Sequence, residues 1–404
     1  MHGDYYIMVD EALRSELSKR ISDYLFSYFQ WGSSAMPIDQ EPKMRDLLVD
    51  VLEYQRLNHP RYGRYCSLQR CTERGTSILS YPPLPVESFK RADICPFGQE
   101  QTVAEFRSSG TTEGVKSIHR FRDTGLLQRA LIYTFTLYIS RLMPKGMRFL
   151  SLMPSYESNP HSSLGYMITQ FVQNYGAEGS GFFFDFDRGL DCKSFVAALR
   201  DAERDGVAVH IFGPAFAYVE LLDWIESSHI APIHCAPGSC LLETGGYKGR
   251  TREIPKAELR QALCDKLGIE IGHIYGEYGM CELSSQGYEI CALNNRTTRP
   301  DECLYIFPGW MKCMLFNPET MAPVLPGHEG QIAFFDLCNL DSAAYILTGD
   351  VGTLVELPPD VRRATVGFPK YGLRLRGRAP SAVPKGCSMA WDEWNAQARD
   401  TSKS

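Results

Sequence analysis

The sequence predicts an α/β fold with layered sheets, because helical and strand-like segments alternate through its central part. Apolar residues recur at helical spacing in segments 126–142, 194–205 and 215–226. Short β-like runs at 148–153 and 207–212 lie between these segments. Such alternation is typical of domains in which helices cover a sheet.

The two ends of the chain differ from this central part. Segments 11–29 and 44–54 have apolar residues at helical spacing, so the N-terminal region is predicted to be mainly helical. The proline-rich segment 80–96 predicts an extended connector. Residues 331–335 and 345–347 begin a more strand-rich part, which predicts a small β-rich subdomain. The predicted domains are a helical region (1–95), an α/β core (96–378) and a short tail (379–404).

Composition restricts the class of protein. The chain has 404 residues, of which 44% are hydrophobic and 22% charged, so it is long enough for a large core. Its net charge of -6, without a sustained run of Lys or Arg, disfavours a nucleic-acid partner. No apolar stretch has bilayer length and the start lacks a signal-peptide pattern, which predicts a cytoplasmic protein without membrane insertion. Thirteen cysteines at irregular spacings predict reduced thiols.

The segment from Phe106 to Ser117 is rich in glycines and hydroxyls, which suits a polyphosphate. Gly110 and Gly114 allow the backbone to bend around phosphate oxygens, and Lys116 adds a positive charge. Hydroxyl donors come from Ser108, Ser109, Thr111 and Thr112. The spacing differs from the ordinary P-loop, since only three residues separate the glycines and Val115 precedes the lysine. Taken alone, the segment is equally compatible with a solvated turn.

Three further motifs follow in a fixed order. They are Thr-Gly-Gly-Tyr at 244–247, Tyr-Gly-Met-Cys-Glu at 278–282 and Leu-Thr-Gly-Asp-Val-Gly at 347–352. Together with the loop they resemble the adenylate-forming enzymes, the superfamily of acyl-CoA synthetases, peptide-synthetase adenylation domains and luciferases. The segments Phe-Arg-Ser-Ser-Gly-Thr-Thr at 106–112 and Gly-Cys-Ser at 386–388 resemble those of the LuxE-like acyl-protein synthetases. This resemblance extends over about residues 82–389.

The resemblance implies a fold and a binding site for ATP. The implied fold is the large N-terminal domain of these enzymes without their usual C-terminal lysine-bearing domain, because only a short segment follows Arg378. In the implied site, Gly245 and Gly246 lie against adenine, Tyr278 beside its ring, and Asp350 accepts hydrogen bonds from the ribose. Gly279 belongs to the same motif as the tyrosine. The four motifs would converge on one nucleotide.

Several of these residues also have simpler interpretations. Tyr278 could belong to the core and Asp350 to a turn, and Arg376 and Arg378 could form the solvated face of a strand instead of reaching the nucleotide. Cys281 occupies the place of a threonine that contacts the α-phosphate in the family, and a thiol is a weaker donor. Glu113 adds a negative charge to the phosphate loop. These two departures support an alternative in which the chain is a non-catalytic subunit.

The implied chemistry is the activation of a carboxylic acid. A carboxylate resists nucleophiles, so ATP is used to attach AMP, and Glu282 would ligate the Mg²⁺ that bridges the phosphates. The acyl group would then pass to a thiol, which is Cys387 beside Lys385, a partner protein, a carrier protein or coenzyme A. Fatty acid is the implied substrate, with an aryl or other biosynthetic acid as the alternative. A complex with a reductase or synthase is the expected partner interaction.

Overall fold

The computed structural model describes residues 9–31, 40–108, 115–185, 187–245, 251–290, 303–359 and 369–378. The chain divides into two compact units. The first is drawn from Met1–Ala130, Cys281–Ser285 and Phe307–Ser404, and the second from Leu131–Met280 and Gln286–Ile306. The linear domain boundaries expected from the sequence stay a prediction.

The described residues form helices and strands in an alternating order. The helices are α1 (Glu11–Trp31), α2 (Gln40–Asn58), α3 (Pro60–Leu68), α4 (Ser88–Arg91), α5 (Gly125–Tyr138), α6 (Ser163–Tyr175), α7 (Cys192–Asp205), α8 (Ala215–Ser227) and α9 (Lys256–Leu267). The strands before residue 245 are β1 (Leu84–Pro85), β2 (Ala104–Arg107), β3 (Ile118–Phe121), β4 (Arg148–Ser151), β5 (Gly181–Phe182), β6 (Phe184–Asp185), β7 (Gly189–Leu190), β8 (Val209–Pro214) and β9 (Cys240–Thr244). The later strands are β10 (Ile274–Tyr278), β11 (Gly287–Glu289), β12 (Tyr305–Ile306), β13 (Met311–Phe316), β14 (Glu329–Asp336), β15 (Tyr345–Glu356) and β16 (Tyr371–Arg378).

The first unit combines N-terminal helices with an antiparallel sheet. The predicted helices at 11–29 and 44–54 are confirmed as parts of α1 and α2. The sheet has the order β13-β14-β15-β16, and β1 pairs in parallel with β15. Gln55 of α2 is fully buried and donates to the carbonyl oxygens of Asn339 at 2.8 Å and Leu340 at 3.1 Å. This amide therefore fixes α2 to the loop between β14 and β15.

Two boundaries in the chain differ from the sequence expectation. The predicted strand at 345–347 continues to Glu356, so Asp350 lies within β15 and not in a turn after it. The predicted helix at 126–142 ends at Tyr138, and a 3₁₀ turn covers Ser140–Leu142. In the first case the cross-strand partners in β14 and β16 extend the strand, and such partners are distant in the sequence.

The second unit contains the α/β layers that the sequence predicts. Its sheet has the order β12-β11-β10-β9-β8-β4-β5, in which β5, β4, β8, β9 and β10 are parallel. Leu150, Ile211, Leu241 and Ile274 lie in register on one face, in a buried cluster with apolar residues of α7, α8 and α9. On the opposite face, Phe135 of α5 stacks on Phe171 of α6, with ring centroids 4.1 Å apart. Helices thus cover both faces.

Local sequence signals set the ends of two of these helices. Ser162 caps α6 by accepting a hydrogen bond from the Gly165 amide at 2.9 Å. Asp191 caps α7 in the same way, accepting from the Ser194 amide at 3.0 Å. Gly206 ends α7 with φ of 65°, a left-handed conformation that glycine adopts without strain.

The sequence predicts reduced cysteines and no membrane-spanning helix. Ten cysteines in the described ranges have free thiols, as expected, whereas Cys303 is disulfide-bonded. Among the described helices, none combines the length and the apolar character that crossing a membrane requires.

Buried histidines make the stability of the chain depend on pH. Burial lowers the pKa of His59 and of His119 to about 4, so both are neutral in the folded protein near pH 7. An unfolded histidine titrates near 6.5, so their contribution to stability is complete above that pH and is lost as the pH falls toward 4. We expect the free energy of unfolding to depend less on pH between 6.5 and 4 in His119→Asn than in the wild type. Urea unfolding at several pH values measures this, and an unchanged slope would contradict the assignment.

Candidate active site

Ser108 and Ser117 of the first unit, at the two ends of the predicted phosphate loop, form hydrogen bonds with each other. The Ser108 amide donates to the Ser117 carbonyl oxygen at 3.0 Å, and the Ser117 amide donates to Ser108 Oγ at 2.9 Å. Ser108 therefore holds the ends of the loop together. Lys116 follows the loop with an exposed side chain. Five predicted phosphate-binding residues lie outside the described residues: Ser109, Gly110, Thr111, Thr112 and Gly114.

The segment Cys281–Ser285 is held by a buried histidine and a buried asparagine. His119 of β3 contacts the Cys281 carbonyl oxygen through Nδ1 at 2.9 Å, and its Nε2 lies 2.8 Å from Ser342 Oγ. A carbonyl only accepts hydrogen bonds, so Nδ1 carries the proton and Nε2 accepts from the serine hydroxyl. Asn339 Nδ2 donates to the Glu282 carbonyl oxygen at 2.7 Å. The carbonyl groups of Cys281 and Glu282 are thus both held by buried side chains.

Asp336, at the end of β14, fixes Ser284 and Ser285 of the same segment. It is fully buried and accepts hydrogen bonds from the amides of Ser284 at 3.0 Å and Ser285 at 2.7 Å. Its other oxygen accepts from Ser285 Oγ at 2.8 Å and from the Cys338 amide at 3.0 Å. Burial raises the pKa of Asp336, although these hydrogen bonds act in the opposite direction. The carboxylate is consequently a structural acceptor that orders the residues after Glu282.

Replacing Asp336 by asparagine is expected to destabilise the chain by about 2 kcal/mol, because an amide NH₂ would then face buried donors. Urea unfolding measures the change. Asp185→Asn is a matched control, since Asp185 also accepts from two amides, those of Asp187 at 2.8 Å and Arg188 at 3.0 Å, but is exposed. An equal effect of the two substitutions would show that the buried contacts of Asp336 contribute little.

Glu282 is a buried carboxylate that lacks a strong counter-charge. Its exposed fraction is 6%, and burial raises its pKa. The Ser117 hydroxyl faces it without a hydrogen bond of regular geometry, and Lys90 acts on it from farther away. Among the described residues, no lysine or arginine forms an ion pair with it. A cation at this position would compensate for the cost of burying the charge.

Magnesium fits this single carboxylate. The described residues contain no group of three or more His, Cys, Asp or Glu that could hold a metal by themselves. Mg²⁺ is commonly held by one or two carboxylates together with substrate phosphates, so Glu282 would provide the protein oxygen. Cys281 beside it is buried, and burial raises the pKa of its thiol far above the usual value, so it remains protonated.

Asp350 and the two arginines lie on neighbouring strands of the first unit. Asp350 is half-buried and pairs in register with Arg378, whose Nε lies 3.7 Å from Asp350 Oδ1. Arg376 and Arg378 have exposed side chains on β16, which confirms a strand at the predicted segment 373–378. Arg378 therefore contacts the predicted ribose-binding aspartate directly.

The predicted adenine-binding residues are found in the second unit. Gly245 follows β9 with φ of 57°, and Gly246 lies outside the described residues. Tyr278 ends β10, is 8% exposed, and packs edge-on against Tyr305 with ring centroids 5.9 Å apart. Gly279 follows with an exposed backbone. Tyr278 thus packs partly as a core residue at the end of a parallel strand.

A buried ion network next to Tyr278 is absent from the sequence predictions. Arg260 of α9 contacts Glu243 at 3.0 Å and Glu289 at 2.6 Å, and Lys256 forms a close ion pair with Glu289. Glu289 also accepts from the Gly276 amide of β10 at 2.7 Å. The network joins β9, β10 and β11 near the ends of β9 and β10. The signal that could have found it is a glutamate inside each of two apolar strands.

The chain matches a known protein family over most of its length. The pattern of the family described as "Acyl-protein synthetase, LuxE" matches residues 14–394. The chain belongs to this LuxE family. It is therefore an enzyme of the ligase type, and the alternative of a non-catalytic subunit is not supported.

Two relatives are ligases with the same name. The chain is 23% identical over 362 residues to the long-chain-fatty-acid–luciferin-component ligase of Aliivibrio fischeri, covering 87% of this chain and 89% of the relative. It is 20% identical over 382 residues to the enzyme of that name from Vibrio harveyi, with 93% and 94% covered. The similarity to each relative thus extends over most of both chains.

Solved structures support the fold of this LuxE-family chain. It is similar to 2-hydroxyisobutyryl-CoA ligase in the postadenylation state, with a TM-score of 0.61, 12% identity, and coverage of 85% of this chain and 69% of the other. The same ligase in its thioesterification state gives a TM-score of 0.61 at 14% identity with equal coverage. The predicted α/β adenylate-forming fold is confirmed.

Proposed function

We propose that this LuxE-family enzyme uses ATP to convert a carboxylic acid into acyl-AMP and then transfers the acyl group to a thiol. The observation that carries the proposal is Glu282, a buried carboxylate without a strong counter-charge, held by the contacts of His119, Asn339 and Asp336 around it. Such a rigid, weakly compensated charge is suited to a metal-bound triphosphate. The names of the two relatives support a fatty acid as the substrate.

The proposed roles follow the family motifs. The proposed phosphate-binding residues are Ser108, Ser109, Gly110, Thr111, Thr112, Gly114 and Lys116. Glu282 ligates Mg²⁺, and Asp350 binds the ribose. Gly245, Gly246, Tyr278 and Gly279 bind adenine, and Cys281 lies near the α-phosphate. Arg376 and Arg378 contact the nucleotide, and Arg378 also orients Asp350. Bound Mg²⁺ would neutralise phosphate charge as the acid attacks the α-phosphorus and pyrophosphate leaves.

We further propose that Cys387, which lies outside the described residues, is the first acceptor. Its thiolate would attack the carbonyl carbon of acyl-AMP, forming a thioester while AMP leaves with the bonding electrons. A partner protein, a carrier protein or coenzyme A would then receive the acyl group, with a reductase or synthase as the proposed complex partner. The proposed location is the cytoplasm.

Acid-dependent exchange of labelled pyrophosphate into ATP tests the first step. Exchange with fatty acids, and little with aryl acids, is the expected result; the reverse order would favour the aryl alternative. Exchange absent with every acid, by protein that binds ATP, would contradict acid activation. For the second step, Cys387→Ser should retain exchange but lose covalent acyl label on the protein, and retained label would exclude Cys387.

A further inference from the structure

A row of side chains marks one edge of the parallel sheet in the second unit. Pro214 of β8, Thr244 of β9 and Glu277 of β10 are neighbours in register, and Tyr288 of β11 lies next to Glu277. Partners in register point to the same face of a sheet. The row also lies at the carboxyl ends of β8, β9 and β10, where ligands bind in open α/β sheets.

Glu277 is the acidic member of this row. It is half-buried, and no hydrogen bond or ion pair joins its side chain to any other residue that the structure describes. Burial raises the pKa of Glu277 to about 8. Near neutral pH its carboxyl group therefore mostly carries a proton and can both donate and accept hydrogen bonds.

Further polar atoms on this face are buried without a hydrogen-bond partner among the described residues. They include Thr244 Oγ1 and Gln286 Oε1 near the row, from side chains 3% and 2% exposed, and His210 Nδ1 near the start of β8. The orientation of the Gln286 amide is fixed, because its Nε2 donates to the Leu131 carbonyl oxygen at 3.1 Å and to Tyr288 Oη at 3.1 Å. A backbone carbonyl only accepts, so Oε1 must face away from it. Buried polar atoms are normally paired, and unpaired ones indicate a missing partner.

The Glu277 carboxyl group lies against the backbone of Gly279, beside the side chain of Gln286. A Cβ atom at position 279 would lie 2.2 Å from Glu277 Oε1 and 3.8 Å from Gln286 Cβ. A side chain at position 279 would therefore collide with the Glu277 carboxyl group, and the glycine allows Glu277 and Gln286 to lie next to each other.

We propose that Glu277, Thr244 and Gln286 form a hydrogen-bonding subsite for the acyl substrate, and that the activated acid carries a hydroxyl or amino group instead of an unsubstituted alkyl chain. This inference rests on the proposed function and refines its substrate class. A donor on the substrate pairs with the buried oxygens of the subsite, whereas an alkyl chain would cover them and leave them unpaired. A site of this kind discriminates strongly against analogues that lack the donor.

The experiment compares acids of equal chain length in the ATP–pyrophosphate exchange assay. Unsubstituted fatty acids are paired with their 2- and 3-hydroxy and 2- and 3-amino derivatives, and kcat/KM is measured for each. The wild type is expected to prefer a substituted acid by at least about tenfold. Glu277→Leu and Gln286→Leu should reduce this preference mainly by raising kcat/KM for the unsubstituted acid, and Glu277→Gln should retain most of it. Glu258→Leu, at an exposed glutamate of α9, is the control and should leave the preference unchanged.

The outcomes separate this inference from the proposed function. Exchange that is equal or faster with unsubstituted acids, or a preference that survives both leucine variants, would overturn the subsite and leave acid activation intact. Exchange absent with every acid would overturn acid activation, and the subsite with it. If one substituted series exceeds the other, the donor is identified as hydroxyl or amine.

Discussion

Glu282→Gln is expected to lower acid-dependent ATP–pyrophosphate exchange by about 100-fold or more without destabilising the chain. Removing one fixed charge that stabilises a phosphoryl transition state typically costs about 100- to 1000-fold in rate. The free energy of unfolding should not fall with the activity, because burial raises the pKa of Glu282. When a carboxyl pKa is raised by folding, stability is lost as the pH rises above the unfolded value of 4.5, so a neutral glutamine should leave the free energy of unfolding at pH 7 unchanged or raise it.

The two measurements together distinguish a ligand-binding carboxylate from a structural one. Exchange rates are measured at saturating ATP over a range of Mg²⁺ concentrations, and stability is measured by urea unfolding. Glu87→Gln is the matched control, since Glu87 is close enough to influence Glu282 but is more exposed. A variant that loses stability in parallel with activity would assign Glu282 to the core and contradict a role in metal binding.

The sequence could predict those parts of the site that are encoded in short segments. The alternation of helices and strands and the four motifs depend on residues close together in the chain, so periodicity and spacing revealed them. The adenylate-forming fold followed from the same motifs and is confirmed. The roles assigned to Lys116, Tyr278 and Asp350 are proposals that rest on the motifs.

The contacts that hold the motifs could not be predicted in this way. His119 binds the backbone of Cys281 across 162 residues, and Asp336 binds that of Ser285 across 51. No local pattern distinguishes a histidine that will support a distant carbonyl from any other histidine in a strand. The length of β15 had the same cause, since its extension to Glu356 depends on pairing with β14 and β16. Tertiary pairing overrides local preference at these points.

Arg260→Met is expected to destabilise the chain by about 3–5 kcal/mol, the typical result of removing one partner from a buried ion pair. Arg260 is 1% exposed and is shared by Glu243 and Glu289, so the substitution leaves two enclosed carboxylates, of which Glu289 keeps its ion pair with Lys256. The control is Arg252→Met, because Arg252 and Asp223 form an ion pair in the same unit with side chains 60% and 51% exposed. That pair should contribute at most about 1 kcal/mol. A similar loss in both variants would contradict the prediction.

The pH dependence of stability provides a second, independent test of the same ion network. Burial would raise the pKa of Glu289, but Arg260 and Lys256 outweigh it and lower the pKa to about 2 from 4.5. In the wild type, the contribution of Glu289 to stability is therefore complete above pH 4.5 and is lost as the pH falls toward 2. Without Arg260, burial acts with less opposition, so Arg260→Met should lose less stability over this range. Adding Glu289→Gln to Arg260→Met should recover part of the loss at pH 7, since one uncompensated charge is removed, and urea unfolding of the single and double variants measures this coupling.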